Sequence, residues 1–470
     1  MRFSSYNILT RKLANGDHVL LNSLSGMLDL IDEEAYQVVT AHSDDDELAP
    51  DVMVLIESVR EHFLEGGFLT ELDRKAELVK AEEYALRLAE NIEKVGSEKW
   101  AVVLIPNLGC NYRCTYCFEK DSGYPAVMMS KEQVDAIFGL IKDKVVPEKS
   151  ITLYGGEPLA KENRELIEYI VKKGAEIKQD FFAVTNGHDL EHYMDLLGAG
   201  RISLLQISVD GPKEIHDRRR ISREGGSSYD KLMSNIETAL NNTDVSITLR
   251  INLDKRNAPF VMELMDDLDR RGFLDNPLFN AACNLVTGVG ELTANHKDIK
   301  KLESAVEAKY PDYKEMFMGY TVVSGEAILP ALYFGHPIQQ RAAVCGAPDG
   351  MKIFSPDGKI YSCWSFIGHP DQVIGTYDNS GNIRWNNPVL DNWKKTLLAH
   401  NKKCLSCRYA LICAGGCHRY VITGENSDNS YDCEYYNNLF DEYLAKVTEE
   451  YLADTEEAYM VAKNIKGSLQ

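Results

Sequence analysis

Cysteine is the residue type most able to do chemistry in this chain, and ten of its eleven cysteines fall into two groups. The first group is Cys110, Cys114 and Cys117, in the stretch LIPNLGCNYRCTYCFEK. A closed structural zinc site commonly uses four ligands in separated pairs, and no fourth Cys or His lies near this loop. A 4Fe–4S cluster held by three thiolates keeps one iron open for a substrate or cosubstrate. Three thiolates therefore indicate a reactive cluster, with zinc ligation or spare thiols as the alternative.

The second group lies in a turn-rich region from residue 341 to residue 433. Its spacing is C-x12-G-x4-C, then C-x2-C-x5-C-x3-C, then a last cysteine, with Gly358 as the glycine. A zinc ribbon that uses four of the seven thiols is the alternative to iron–sulfur ligation. The one cysteine outside both groups, Cys283, is expected to be an ordinary core residue. The members of the second group are Cys345, Cys363, Cys404, Cys407, Cys413, Cys417 and Cys433.

The elements that must position these thiols alternate between strands and helices after Trp100. Six apolar segments, AVVLIPN, SITLYGG, FFAVTNG, ISLLQISVDG, SITLRINLD and LFNAACNLV, predict strands with helices between them. Parallel strands need crossover helices, so the series predicts a parallel sheet curled into a partial barrel. Ser130 with Gln133 predicts a capping box at the start of one of the helices. Sites in such folds lie at the carboxyl ends of the strands, where the first cysteine loop also lies.

The C-x3-C-x2-C loop, with Tyr116 before its last cysteine, resembles the radical S-adenosylmethionine (SAM) enzymes. The resemblance implies an α/β fold with a partial (β/α)6 TIM-like barrel, and a cluster whose open iron chelates SAM. It also implies that an electron cleaves SAM and that a 5′-deoxyadenosyl radical takes a hydrogen atom from the substrate. The implied SAM contacts are the GGE motif, Gly155, Gly156 and Glu157, with Ser208 and Asp210 near the ribose, Arg250 at the carboxylate and Tyr116 at the adenine. Taken singly, Ser208 and Asp210 would more often be a strand-end cap, and Arg250 would more often form a structural ion pair.

The seven-cysteine pattern resembles the SPASM domain that many radical SAM enzymes carry. The resemblance implies two auxiliary 4Fe–4S clusters, one fully ligated by Cys404, Cys407, Cys413 and Cys433. The other is held by Cys345, Cys363 and Cys417, and Met351 stands where some members have a further cysteine. An open iron or a non-cysteine ligand is therefore expected at the auxiliary cluster that Cys345, Cys363 and Cys417 hold, the first of the two in chain order.

The N-terminal residues predict a small separate module. Short strands broken at Asn15-Gly16 and Ser25-Gly26 are followed by two predicted helices, DEEAYQVVTAH and APDVMVLIESVREHFLEGGFLT. We expect a winged-helix-like module at 1–72, a linker helix at 73–99, a radical SAM barrel at 100–330, a SPASM domain at 341–440 and a helical tail at 441–470. By resemblance to maturases of ribosomal peptides, the module would capture a leader peptide as an added strand, and a generic folding cap is the alternative.

Composition limits the possible partners. The 470 residues carry a net charge of −21, which disfavours nucleic acid. No secretory signal and no long apolar run is evident, so we expect a cytoplasmic protein without a membrane partner. The resemblance implies a precursor peptide and an electron donor such as flavodoxin or ferredoxin as partners. It favours a maturase that forms a thioether or another cross-link, with formylglycine formation on sulfatases and a non-catalytic iron–sulfur sensor as alternatives.

Overall fold

A computed structural model describes residues 1–117, 119, 127–147, 149–286, 294, 296–317, 325–424 and 430–453. The chain divides into two compact units. The first unit contains Met1–Lys94 and the described parts of Thr321–Pro348 and Asn392–Gln470. The second contains the described parts of Val95–Tyr320 together with Asp349–Asp391.

The N-terminal part of the first unit has the predicted strands and turns. Gly16 and Gly26 adopt φ of +98° and +78°, the left-handed conformation that the two predicted turns require. Three antiparallel strands follow the order β2-β3-β4, and β1 pairs with β5. The elements are β1 (Arg2–Phe3), β2 (Asn7–Leu9), β3 (His18–Asn22), β4 (Leu28–Ile31), α1 (Glu33–His42), α2 (Pro50–Leu55), α3 (Arg60–Glu65), β5 (Leu69–Thr70) and α4 (Arg74–Glu98).

The prediction of one continuous helix from Ala49 towards Gly66 is wrong. The segment forms two helices, α2 and α3, separated by a turn in which the Ile56 amide bonds to the Val52 carbonyl. The break lets Val52, Ile56 and Phe63 enter one core together with Phe3 and Leu20. Val52, Ile56 and Phe63 are spaced four and seven residues apart, a helical spacing, so the apolar pattern predicts one helical face and gives no sign of the break.

The second unit contains the predicted parallel sheet. Its six strands lie side by side in chain order, and every neighbouring pair is parallel. The register places Ser208 opposite Arg250. The strands are β6 (Ala101–Leu104), β8 (Ile151–Leu153), β9 (Phe181–Thr185), β10 (Ile202–Ser208), β12 (Ser246–Leu253) and β13 (Phe279–Leu285), and a short ribbon joins β7 (Tyr112–Cys114) to β11 (Arg220–Ser222).

Helices follow the strands as the parallel order requires. The capping box is present, because Ser130 accepts a hydrogen bond from the Gln133 amide while the Gln133 side chain accepts one from the Ser130 amide. The parallel order of the six strands and the helices between them confirm the predicted partial barrel and the α/β class. The helices are α5 (Lys131–Ile141), α6 (Arg164–Glu176), α7 (Lys213–Arg219), α8 (Ser228–Asn242), α9 (Val261–Arg270) and α10 (His296–Lys309).

Part of the predicted SPASM region extends this sheet. β14 (Met351–Phe354) pairs in parallel with β6, and three antiparallel strands continue from it: β15 (Lys359–Tyr361), β16 (Gly375–Tyr377) and β17 (Ile383–Trp385). The region predicted as one domain from residue 341 is thus divided between the two units. The predicted domain limits remain predictions.

Six helices complete the described chain. They are α11 (Gly325–Phe334), α12 (Asn387–Lys394), α13 (Lys402–Leu405), α14 (Ala410–Cys413), α15 (His418–Thr423) and α16 (Ser430–Ala453). The predicted tail is helical as far as Ala453, and the rest of it lies outside the described residues. Among the described helices, none has the length and apolar character needed to cross a bilayer.

Candidate functional site

The first cysteine loop follows β6 and is tied down by a second strand. β7 pairs antiparallel with β11, so that Arg220 lies opposite Cys114. Cys110, Cys114 and Cys117 are half-buried, and burial together with Glu157 raises the pKa of Cys110 to about 12. Thiols bind metals as thiolates. The positive charge of iron would therefore have to offset the free-energy cost of deprotonating a thiol whose pKa is raised. Three thiols in one loop fit the donor set of a SAM-binding 4Fe–4S cluster.

Arg220 brings a buried positive charge to this loop. Its Nη1 donates to the phenol oxygen of Tyr116 at 2.8 Å, and its Nε has no hydrogen-bond acceptor within the described part of the chain. Burial raises the pKa of Cys114, and the Arg220 charge acts in the opposite direction. The guanidinium therefore favours the thiolate at Cys114.

The GGE motif makes a close backbone approach to the same loop. Gly155 and Gly156 have φ of +85° and +53°, and a Cβ on Gly156 would lie 2.8 Å from the Asn107 carbonyl oxygen and still nearer that of Gly109. The Glu157 amide donates to the Gly109 carbonyl at 2.9 Å. Glycine is required here because a side chain would separate the motif from the cysteine loop.

The Glu157 carboxylate is bound by protein donors. One oxygen accepts from the Thr185 hydroxyl at 2.5 Å and from the Leu159 amide at 2.9 Å, and the other accepts from the Asn186 amide at 2.7 Å. Burial raises the pKa of Glu157 to about 7, against the effect of these donors. The side chain thus joins the GGE motif to the end of β9, and its contact with SAM remains a prediction.

The residues predicted near the ribose and the SAM carboxylate lie at the ends of β10 and β12. Asp210 is fully buried and accepts from the Asn252 amide at 3.1 Å and from Arg219 Nε at 3.3 Å. Asn252 also donates to the Tyr116 phenol at 3.1 Å and accepts from Arg250 Nε at 3.1 Å. Asn252 therefore connects three predicted SAM contacts, while the contacts themselves remain predictions.

Sequence reasoning did not select Glu119, which lies two residues after Cys117. Its carboxylate accepts a hydrogen bond from the Gly156 amide at 3.1 Å, and burial raises its pKa to about 7. Tyr154, just before the GGE motif, interacts electrostatically with Glu119 and Cys117, and its ring centroid lies 5.1 Å from that of Trp364. The acid beside a cysteine was the only signal for Glu119 in the sequence. Asn252 and Tyr154 gave no signal beyond their places at strand ends.

Four of the C-terminal cysteines form one electrostatic group in the first unit. Burial, followed by the effects of Cys404, Cys433 and Cys407, raises the pKa of Cys413 to about 12. Burial also raises the pKa of Cys404, with contributions from Cys433 and Cys407. These are the four thiols predicted to ligate one auxiliary cluster, and as a donor set they fit a 4Fe–4S cubane.

The other predicted auxiliary ligands are distributed differently. Cys345 and Cys417 belong to the first unit and Cys363 to the second, so their joint ligation remains a prediction. Met351 is buried in β14, and Cys283 is buried as predicted. Over the described ranges, no three His, Cys, Asp or Glu side chains converge on a position for a single metal ion. A cubane does not need such convergence, because each thiolate binds its own iron.

The chain is similar to several known proteins. Residues 104–266 match the family model of the radical SAM superfamily. The cysteine-type anaerobic sulfatase-maturating enzyme of Clostridium novyi is 22% identical over 72% of this chain and 92% of its own length. The radical SAM cyclopropyl synthase TigE of Paramaledivibacter caminithermalis is 22% identical over 85% of each chain.

The fold also has a solved counterpart. The structure of native anSMEcpe with bound AdoMet superposes with a TM-score of 0.56 at 20% identity, over 74% of this chain and 98% of that one. At this identity the likeness concerns the fold alone. It agrees with the partial barrel described above.

Proposed function

The chain contains a radical SAM domain and is an enzyme that uses a 4Fe–4S cluster and SAM, and from this premise we propose that it oxidatively modifies a ribosomally made peptide. The modification we propose is a thioether or another cross-link. The relative named a radical SAM cyclopropyl synthase supports a bond-forming modification, because it matches 85% of the chain whereas the sulfatase-maturating relative of Clostridium novyi matches 72%.

We assign the residues as follows. Cys110, Cys114 and Cys117 hold the SAM-binding cluster, which with SAM supplies one-electron hydrogen abstraction from the substrate. Ser208, Asp210, Arg250 and Tyr116 orient SAM, and the glycines of the GGE motif bring the backbone to it. Glu157 holds this motif against β9. Cys404, Cys407, Cys413 and Cys433 hold one auxiliary cluster, and Cys345, Cys363 and Cys417 hold the other.

The observation that carries the peptide proposal is that β4 is one of the two outer strands of the sheet β2-β3-β4. β4 pairs with β3, and no second strand pairs with β4 among the described residues. An open strand edge is the surface on which an extended peptide adds as a further strand. We therefore place the leader peptide at β4.

The hydrogen bonds of β4 indicate which groups the leader would use. The Asn22 amide donates to the Met27 carbonyl, and bonded pairs alternate along an antiparallel ladder, so Leu28 and Leu30 direct their backbone groups away from β3. The Leu30 amide donates instead to one oxygen of the Asp29 carboxylate, at 2.9 Å. The other oxygen of this carboxylate accepts a hydrogen bond from His62 at 2.6 Å. A leader strand would replace this local bond with a backbone bond.

A pair of substitutions at Leu30 tests this placement. Leu30→Pro removes the outward N–H without removing a bond to β3, so binding of the leader peptide should weaken about tenfold, the effect of roughly 1.4 kcal/mol. Leu30→Ala keeps the N–H and serves as the control. Affinity is measured by fluorescence anisotropy of a labelled leader peptide. Equal affinity of the two variants would show that the leader does not bind at this edge.

Iron content tests the cluster assignment. Three cubane clusters predict about 12 iron atoms per chain, and Cys404→Ala should lower this number by about four. Cys283→Ala is the matched control, because Cys283 is buried and outside both groups. Stoichiometric zinc without iron would contradict the assignment.

Formylglycine formation on a sulfatase is the second candidate. Relatives named cysteine-type anaerobic sulfatase-maturating enzymes favour it, since the chain covers more than nine-tenths of their length. Anaerobic incubation with a sulfatase-derived peptide that contains the target Cys distinguishes the two candidates. Conversion of that Cys to an aldehyde, and no change in a leader-bearing peptide, would favour the second candidate. A non-catalytic sensor has no support among these enzyme relatives.

A further inference from the structure

Positive charge is concentrated in one segment of this acidic chain. The 33 residues from 392 to 424 contain no Asp or Glu, although the chain carries a net charge of −21. The segment includes four cysteines of the second group, and all of it belongs to the first unit. Its six cations are Lys394, Lys395, Lys402, Lys403, Arg408 and Arg419.

Three of these cations flank a pair of cysteines at the surface. Lys402, Lys403 and Arg408 are exposed, and they lie beside Cys404 and Cys407 within seven residues of chain. The short helix α13 holds Lys402, Lys403 and Cys404, with the Asn401 side chain as its N-cap. Chain connectivity therefore keeps these three charges next to the two thiols.

Cys407 is more exposed to solvent than Cys404 and Cys413, two other predicted ligands of the same cluster. Cys407 is exposed, whereas Cys404 and Cys413 are half-buried. Cys407 and Arg408 line a cavity of about 550 Å³, whose wall also includes Arg74 and Asp44. Among the described residues, Asp441 of α16 is a second acid nearby, and it interacts with Arg408 and accepts a hydrogen bond from the Tyr409 hydroxyl. Charges of both signs therefore lie near this accessible thiol, and the cations that flank it in the chain are Lys402, Lys403 and Arg408.

We propose that the surface formed by Lys402, Lys403, Arg408 and Cys407, the basic face, is the docking site of an acidic one-electron carrier protein. The proposal rests on the auxiliary cluster assigned above to Cys404, Cys407, Cys413 and Cys433. In the transfer the reduced carrier loses one electron and the cluster gains one, and no bond forms or breaks. A carrier of the flavodoxin or ferredoxin type has the required chemistry, because its negative surface complements the basic face.

The position of the charges favours a carrier over an anionic polymer. Nucleic acid would be bound by cations without any need for a thiol among them, whereas electron transfer requires close approach to a cluster ligand. Internal neutralisation of the thiolates is the competing explanation. It predicts that removal of the cations changes the cluster, and docking predicts that it changes the affinity for the carrier.

The test measures binding of an acidic bacterial flavodoxin to the reconstituted holoenzyme by isothermal titration calorimetry under anaerobic conditions. The variant is Lys402→Glu/Lys403→Glu/Arg408→Glu. Its matched control is Lys80→Glu/Lys142→Glu/Lys172→Glu, which makes the same change of net charge at exposed lysines elsewhere. We expect the dissociation constant to rise at least about tenfold in the variant only, with iron content as in the wild type.

Two results would overturn the proposal. The first is unchanged flavodoxin affinity in the variant. The second is an affinity of the wild-type enzyme that does not fall as salt rises from about 50 to 300 mM, since screening must weaken a docking driven by charge. If the reversed-charge variant fails to load iron, Lys402→Gln/Lys403→Gln/Arg408→Gln takes its place with the same criteria.

A failure of the proposed function gives a different result. SAM cleavage driven by dithionite needs no carrier, so wild-type enzyme with full iron content that cleaves SAM but modifies no peptide would contradict the peptide proposal alone. If the basic-face variant loses affinity for flavodoxin but still cleaves SAM with dithionite, the result would support the basic face as the docking site. This conclusion would not depend on the peptide.

Discussion

Arg220 donates a hydrogen bond to the phenol of Tyr116 at 2.8 Å, and its own backbone lies opposite Cys114 across the β7–β11 ribbon. A buried cation is thereby fixed beside a thiol of the first cysteine loop. Because reduction of the cluster adds negative charge, this cation should favour the reduced state. The effect of this charge can be measured as a change in the midpoint potential of the SAM-binding cluster.

Arg220→Gln should lower the midpoint potential of the SAM-binding cluster. Loss of about 1.4 kcal/mol of charge stabilisation corresponds to about 59 mV for a one-electron couple. Arg220→Lys keeps the charge and should retain most of the potential. Arg113→Gln, on the paired strand β7 and exposed, is the matched control. A redox titration followed by electron paramagnetic resonance measures all four proteins, and an unchanged potential in Arg220→Gln would contradict the assigned role.

Gly156→Ala should prevent loading of the SAM-binding cluster. The added Cβ would overlap the Gly109 carbonyl, and the left-handed backbone alone costs about 1 kcal/mol or more. Gly139→Ala is the control, because nothing lies within 4 Å of a Cβ there, and alanine in a helix should stabilise the protein by about 0.5–1 kcal/mol. Iron analysis and thermal unfolding measure the two effects. Full iron content in Gly156→Ala would show that the close approach is not needed.

His216 should make the stability of the second unit depend on pH. It is fully buried, and burial followed by the Arg220 charge lowers its pKa to about 3. The unfolded chain therefore binds a proton below about pH 6.5 that the folded chain does not, so stability falls as pH falls through this range towards 3. From pH 6.5 to pH 5 the loss amounts to about 2 kcal/mol.

Urea unfolding at the two pH values checks this expectation. His216→Gln removes the titrating group, so its stability should change less between pH 6.5 and pH 5 than that of the wild type. An equal change in both proteins would assign the pH dependence to other groups.

The buried pair of Arg2 and Glu77 should be necessary for the N-terminal module. Arg2 Nη2 lies 2.6 Å from a Glu77 oxygen, and Glu77 also accepts from the Ser4 hydroxyl at 2.6 Å. Arg2→Met leaves a buried carboxylate without its cation, which costs about 3–5 kcal/mol. Arg60→Met breaks an exposed pair with Glu57 and should cost less than about 1 kcal/mol. Hydrogen exchange of residues 1–31 measures both, and equal protection in the two variants would contradict the expectation.

Local patterns predicted much of the fold. The six parallel strands follow from apolar runs punctuated by helices, and the Ser130–Gln133 capping box follows from two residues three apart. The break between α2 and α3 was not predicted, because it depends on how Phe63 packs in the core of the folded N-terminal module. Strands β14 to β17 were missed because three- and four-residue segments in a turn-rich region carry little periodic signal.

The candidate ligands are predicted by local sequence patterns, whereas the residues that hold the candidate site together are not. The spacing of the cysteines and the GGE motif is a local property of the chain. The bonds of Glu157 to Thr185, of Asn252 to Asp210 and of Glu119 to Gly156 join segments about 28 to 42 residues apart. Only the packed barrel brings these partners together, so no local pattern reported them.

The most direct test of the central claim is the mass of a candidate precursor peptide after anaerobic co-expression with this enzyme. We predict a loss of two hydrogens for each modification, with fragmentation that locates a cross-link, and no loss with the Cys114→Ala variant. An unchanged peptide mass, with SAM cleavage still detected in the wild-type enzyme, would contradict the account.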